Sequence, residues 1–461
     1  MTEQRSSTTS SLLDDASMHA LKAQVRGPVL CPGDVGYETA RRVWNAMIDK
    51  RPALIVRCSG VADVMAAVRF AREHRLLVAV RGGGHNFAGY ATCDGGIVID
   101  LSPMQGVHVA PQRRTARAQG GVTWGTFDHE TQAFGLATTG GTDPTTGIAG
   151  LTLGGGLGWL HGKFGLTCDN LLSADVVTAD GQFLTASATE YPDLFWGLRG
   201  GSGNFGIVTS FEYQLHPVGQ LLGGMVLHPF AKAAEVLRFY RDFTSEAPDE
   251  LTAAAGVLTG QDGQLMVGIV VSYCGALAEG ERLLKPLSTF GPPVHDAIRP
   301  MTYQEVQQLL YVFEANVQSY LRAGFLRELS REAIDAIVAH SATKTSPMSA
   351  VAILPVSGAA ARVAPDATAF VHRQHHYHLF LISQWRDPAE SERHIRWTRD
   401  FWAAMQPFSS VAVYVNELGY DEGEDRFRAA YGANYERLVQ LKNRYDPTNL
   451  FRLNPNVRPT V

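Results

Sequence analysis

Glycine placement constrains this chain more than any other feature. Glycine makes up 46 of the 461 residues, about 10% against a usual ~7%. Much of the excess falls in three dense runs: Gly82-Gly83-Gly84, Gly154-Gly155-Gly156-Leu157-Gly158 and Gly201-Ser202-Gly203-Asn204-Phe205-Gly206. Glycine admits left-handed backbone and lets another group approach the main chain closely. The second run is not a linker, because Ile148, Leu151, Leu153, Leu157 and Trp159 are interleaved with it. Three such runs within about 130 residues point to one extended ligand lying along the backbone, and a dinucleotide fits that better than a small metabolite.

Taken singly, the runs say less. Arg81-Gly-Gly-Gly-His85-Asn86 follows the strand-like Leu77–Val80, and successive N–H groups there can form a nest for phosphate or pyrophosphate, with Arg81 adding charge. A tight turn carrying a surface histidine reads equally well. Residues 201–206 match GxGxxG, but that fingerprint needs a helix after it. Here Ile207, Thr209, Phe211, Tyr213 and Leu215 alternate with polar residues, which is a strand. A Rossmann site is therefore not expected.

The remaining composition narrows the class. A chain of this length holds two or three domains, and 45% apolar with 18% charged residues is globular rather than disordered. Forty basic against 45 acidic side chains give −5, so no global basic field invites nucleic acid or an anionic membrane. No run of about 18 apolar residues offers a membrane span. Five cysteines (31, 58, 93, 168 and 274) with no CxxC pair suggest reduced thiols in a cytoplasmic protein. Residues 1–15 read as a polar, disordered tail without a secretory signal.

Periodicity predicts a helix over Ala62–Arg75, strands over Leu77–Val80 and Gly96–Asp100, and hence a mixed α/β region. From residue 218 to 410 the glycine runs thin out. Helices at Ala231–Thr244 and Met301–Ala315, with strands at Gln264–Tyr273 and Tyr377–Trp385, predict a second, α+β domain. Near the C-terminus Leu438, Leu441 and Tyr445 share a helix face that ends at Asp446-Pro447.

Four segments together carry a resemblance: VRGGGHNFAGYATCDGGIVIDL (80–101), TTGGTDPTTGIAGLTLGGGLGWLHGKFGLTCDNL (138–171), FWGLRGGSGNFGIVTSFEY (195–213) and NYERLVQLKNRYDPTNLFRLNPN (434–456). The chain resembles FAD-linked oxidases of the berberine-bridge-enzyme-like branch of the vanillyl-alcohol-oxidase superfamily. The resemblance implies an α+β, two-domain PCMH-type FAD-binding fold. Residues 16–217 and 411–461 would form the FAD-binding domain, and 218–410 an inserted substrate domain of antiparallel sheet backed by helices. It also implies FAD bonded through its 8α-methyl to His85, with Arg81, Gly82, Gly83 and Gly84 along the pyrophosphate. Asn86, Gly89, Gly141, Thr142, Thr145, Gly147, Gly150, Leu151 and Gly155 would add to the cofactor site. Gly206, Ile207 and Val208 would lie near the adenine, and Tyr414 and Asn416 would touch the flavin. Asn454 or Asn456 would reach the ring, unless the tail simply closes the domain.

Three places qualify that picture. Many relatives make a second flavin link through the cysteine of a G-x-C-P-T motif, and here the motif reads Gly141-Thr-Asp143-Pro-Thr145. A carboxylate forms no thioether, so a single link at His85 is expected, and Cys168 reads as a buried structural thiol. In Tyr414-Val-Asn416-Glu417 the last residue stands where plant relatives often carry a tyrosine base. A carboxylate in an apolar cavity would serve as the base, unless it faces solvent or pairs with a cation. The run His372-Arg-Gln-His-His-Tyr377-His378, read as a strand, places His372, Gln374, His376 and His378 on one face. Nearby carboxylates are lacking, so no metal is expected, and either Tyr377 or His378 would face the flavin as a catalytic group. The expected activity is an oxidase: hydride from the C–H of a small alcohol, amine or phenolic compound passes to flavin, and dioxygen reoxidises it to give hydrogen peroxide. A flavin dehydrogenase, or a binding protein on the same scaffold, is the alternative.

Overall fold

The computed structural model describes residues 13–310, 313–374 and 377–461. The first helix, Asp15–Gln24, starts where the sequence suggests a disordered tail. Asp14 caps it by accepting from Ser17 N, and Leu13 packs on the adjoining core.

Two sheets underlie the glycine loops. The smaller runs in the order Val29–Leu30, Leu54–Arg57, Ile97–Asp100, Val78–Arg81, and its last three strands are parallel. Helix Val61–Glu73 covers it with Val64, Ala67, Val68 and Ala71, the residues whose spacing predicts it. The loop Gly82–Asn86 leaves the carboxyl end of Val78–Arg81, the side of a parallel sheet where ligands gather. The second sheet is five-stranded and antiparallel, and Ile207–Gln214 lies at its centre. That strand follows the GxGxxG run, so no helix N-terminus is available there.

The third sheet draws its long strands from Leu221–Pro229, Leu251–Thr259, Leu265–Tyr273, Gln318–Leu326, Ala350–Pro355 and Tyr377–Trp385, all antiparallel. Its two faces differ because side chains alternate along a strand. Ile353, Leu379 and Leu381 pack with helices Ala233–Ser245, Arg331–Ser341 and Ser391–Met405 through Val236, Ile334 and Phe401. Residues one step away, including Ala352, Leu354, His378 and Phe380, face the glycine loops across a cavity. Cross-strand pairing fixes this register, with Ala352 opposite Phe380 and Leu354 opposite His378.

Two predicted elements differ. The helix expected over Met301–Ala315 is a single turn, Tyr303–Val306, capped by a Thr302–Glu305 box and followed by turns. The histidine run is not one strand: residues 371–374 are irregular, 375 and 376 lie outside the described residues, and the strand begins at Tyr377. There Arg373 turns inward and pairs with Asp169 at 2.6 Å.

The C-terminal helix Tyr435–Tyr445 returns to the glycine loops. Fully buried Lys442 donates to Asp446 Oδ2 (2.7 Å), Asn204 O (2.9 Å) and Phe451 O (2.8 Å), tying the last segment to the 201–206 loop.

Candidate active site

A cavity of about 2180 Å³, solvent at its mouth included, lies between the glycine loops and the large sheet. Close backbone packing builds its floor. A Cβ on Gly83 would stand 2.3 Å from Gly147 N, and one on Gly154 would stand 2.0 Å from Asn416 Oδ1. At Gly150 and Gly203 the opposite holds: a Cβ would meet nothing within 4 Å, because the space beside these backbones is open. Gly84, with φ of 73°, supplies the left-handed turn that aims His85.

His85 is held on several sides. Its ring stacks on Trp44 with centroids 5.6 Å apart and planes at 29°. Nε2 lies 2.9 Å from Thr145 Oγ1, and Nδ1 lies 3.3 Å from Thr146 Oγ1. Burial lowers its pKa, with nearby Asp143 opposing, so the neutral imidazole is favoured. Asn45 anchors the loop by donating to Phe87 O and to Ser319 O on the edge strand of the large sheet.

Across the cavity His378 Nε2 and Glu417 Oε2 are 2.5 Å apart, with side-chain exposures of 7% and 16%. Thr252, Ala254, Ala352, Leu354 and Phe380 line the same wall from the sheet face, so this pair is the main polar feature of a wall that is apolar apart from Thr252. The Tyr414 hydroxyl accepts from Gly156 N (3.0 Å), Leu157 N (3.3 Å) and Asn416 Nδ2 (2.9 Å). Burial foremost, and then the Glu417 carboxylate, push its pKa well up and keep it a neutral phenol. Asn416 also donates to Leu151 O (3.0 Å), so Tyr414 and Asn416 hold the second glycine run in place.

Of the residues singled out in the sequence, Gly82, Gly83, Gly84, His85, Asn86, Thr142, Gly147, Gly150, Leu151, Gly206, Ile207, Val208, His378, Tyr414, Asn416, Glu417 and Asn454 lie on the cavity wall. Others do not. The Arg81 guanidinium turns away to donate to Ala40 O. Gly89 packs against Ile48, Gly141 against Leu151 and Trp124, and Gly155 against Phe370. Thr145 is off the wall but bonded to His85. Asn456 is also off it. Tyr377 lies on the helix side of its strand, 6.5 Å ring to ring from Tyr240, which removes it from the catalytic candidates. His372 bonds to Ala429 O and His378 to Glu417, so these two serve separate partners. Cys168 is fully buried, and burial raises its thiol pKa far beyond physiological range.

Sequence reasoning missed Trp44, Phe87, Tyr90, Leu310 and Phe313 on the wall. The pair Phe87 and Tyr90, directly after the histidine, was the available signal. Leu310 and Phe313 were hidden inside the stretch read as a helix.

The residues present suit FAD. Open glycine backbone at Gly150 and Gly203 leaves room for a phosphate-bearing chain. Asn454 Oδ1 is buried on the wall without a partner among the described residues, and Val80, Leu101 and Val208 provide apolar surface for flat rings.

Comparison with known proteins agrees. Residues 52–187 match the FAD binding domain family, and residues 413–458 match the berberine and berberine-like family. (R)-6-hydroxynicotine oxidase of Paenarthrobacter nicotinovorans is 32% identical over 462 residues, 96% of this chain and 99% of that protein. An FAD-linked oxidoreductase of Dictyostelium discoideum is 30% identical over 441 residues, 94% of this chain and 95% of its own. The crystal structure of 6-hydroxy-D-nicotine oxidase from Arthrobacter nicotinovorans matches with a TM-score of 0.86 at 31% identity, covering 94% of this chain and 98% of that one. BBE-like 1 of Physcomitrella patens matches at 0.87 over 96% of this chain and 99% of that one, and at 24% identity it speaks to the fold alone. With glycine loops, cavity and sequence relatives in accord, this chain belongs to the berberine-bridge-enzyme-like family of FAD-linked oxidoreductases and has its PCMH-type fold.

Proposed function

We propose that this enzyme is an oxidase. It takes hydride from a C–H bond of a small molecule that carries a neighbouring O–H, N–H or phenol, and dioxygen is the final acceptor, released as hydrogen peroxide. The observation that carries this reading is the Glu417–His378 pair, 2.5 Å apart on an apolar wall facing the FAD cradle. Glu417 removes the substrate proton as the C–H bond breaks, and His378 fixes the carboxylate and shares the proton it gains. The sheet residues beside them exclude water and orient the substrate. Bound FAD supplies the two-electron acceptor. His85 is its single covalent attachment point, because Asp143 offers no sulfur for a second link.

In the same reading residues 16–217 and 411–461 hold FAD, and residues 218–410 hold the substrate. Among the described residues no helix is long and apolar enough to cross a membrane. All five cysteines are free thiols, and we place the protein in the cytoplasm on that ground.

The test is a peroxide-release screen of alcohols, amines and phenols, followed by rapid mixing of the reduced enzyme with air. Peroxide from at least one class and fast return of the flavin band support an oxidase. Substrate-driven bleaching with slow recovery in air contradicts it.

A further inference from the structure

Asp143, Thr145 and His85 form a hydrogen-bonded file whose direction is set by the chemistry of its members. The Asp143 carboxylate only accepts, and its Oδ1 takes the Thr145 hydroxyl proton at 2.6 Å and the Thr145 N–H at 2.7 Å. With its single proton committed, Thr145 Oγ1 meets His85 Nε2 at 2.9 Å as an acceptor. Nε2 therefore carries the imidazole N–H, and the lone pair of the neutral ring is on Nδ1, where the Thr146 hydroxyl stands 3.3 Å away and gives way to the flavin carbon as the bond forms. Stacking on Trp44 holds the plane of the ring. Asp143 lies on the cavity wall beside His85.

We infer that Asp143 and Thr145 are positioning residues for the attachment of FAD by the protein itself: they fix His85 in the tautomer that presents Nδ1 to the flavin, and they stabilise the charge the imidazole gains as the bond forms. The inference rests on the covalent link proposed above. In that step a C–N bond forms between Nδ1 and the 8α-carbon while one C–H bond of the methyl group breaks. The methyl proton and the C–H electron pair pass to the flavin ring, which is left reduced, and the imidazole becomes an imidazolium. Dioxygen then removes the two electrons together with that proton and the Nε2 proton, giving hydrogen peroxide and the oxidised, linked flavin. While Nε2 still holds its proton, Asp143 acts on it through Thr145, a charge-assisted hydrogen bond that is stronger than a neutral one.

The experiment uses full-length apoprotein from a riboflavin-starved host, mixed with FAD in air. Covalent incorporation is followed over time by the mass of the denatured chain, and non-covalent FAD affinity is measured separately before attachment proceeds. Asp143→Asn keeps an acceptor but loses the charge, and Thr145→Val breaks the file. At saturating FAD both variants are expected to attach it about tenfold more slowly or worse. Thr145→Ser restores the wild-type rate, and the flavin peptide of the wild type is linked through Nδ1. Attachment at the wild-type rate in both variants, a Thr145→Ser as slow as Thr145→Val, or a link through Nε2 overturns the relay alone. A wild type that never gains the FAD mass contradicts the covalent link itself, and the relay with it.

Discussion

Glu417 and Gly154 show how far single residues could be read. Glu417 stands out in sequence because a carboxylate follows Tyr414-Val-Asn416, but its partner His378 is 39 positions away in the chain and only sheet register joins them. Replacing Glu417 with glutamine removes the proposed proton acceptor while keeping the shape. We expect kcat to fall by about 10²–10⁴ with FAD content unchanged, measured on whichever substrate the peroxide screen identifies. Unchanged turnover would remove Glu417 from the mechanism. Gly154 is one glycine of a run, and nothing in the sequence says which member is indispensable. The structure ranks them: a Cβ on Gly158 would stand 1.7 Å from the backbone Gly140 O, whereas one on Gly154 would meet the Asn416 side chain, with Oδ1 2.0 Å away. Gly154→Ala is expected to destabilise the fold by about 1–3 kcal/mol through overpacking, visible as a lowered Tm, and to loosen Asn416 from Leu151 O.

Elements were legible where periodicity was clean and illegible where tertiary packing decided. Val61–Glu73, Ile207–Gln214 and Leu265–Tyr273 follow their patterns to within a residue or two. Tyr377 and His378 alternate correctly, but which face meets helices and which meets the cavity depends on elements 130 residues upstream. Local pattern also failed at Tyr303–Val306, where the chain leaves the helix early. Gln307 there donates to buried Asp128 of helix Trp124–Gln132 at 2.8 Å. Burial pushes the Asp128 pKa up to about 7 from 3.8, only partly offset by Gln307. The folded protein therefore keeps a proton between pH 4 and 7 that the unfolded chain has lost. Stability contributed by this group falls as pH rises through that window, by up to about 1.4 kcal/mol per pH unit, and levels off above it. Asp128→Asn, neutral at every pH, should gain in Tm over the wild type more at pH 8 than at pH 5. An equal gap at both values would show that Asp128 is not buried as an acid.

The whole molecule depends on distant segments meeting around one cavity, and this was legible only through resemblance. Glycine density announced an extended ligand, yet neither glycine count nor charge says that residues 434–456 return to the 201–206 loop. Lys442 is the fastener. With no exposure, it neutralises Asp446 and satisfies Asn204 O and Phe451 O. Burial lowers its pKa while Asp446 holds it up. Lys442→Met would strand the Asp446 carboxylate and is expected to cost about 3–5 kcal/mol in thermal or denaturant unfolding. A loss under 1 kcal/mol would mean that Asp446 simply takes up a proton.

The proposed bond between FAD and His85, in a cradle of glycine backbone, is what the enzyme's chemistry depends on. Its most direct test is the mass of the purified, denatured wild-type chain, with the modified peptide then sequenced. The expected result is one FAD per chain on the peptide that contains His85, and none on the chain with His85→Ala. A wild-type chain of unmodified mass, or an adduct on any other residue, contradicts the account.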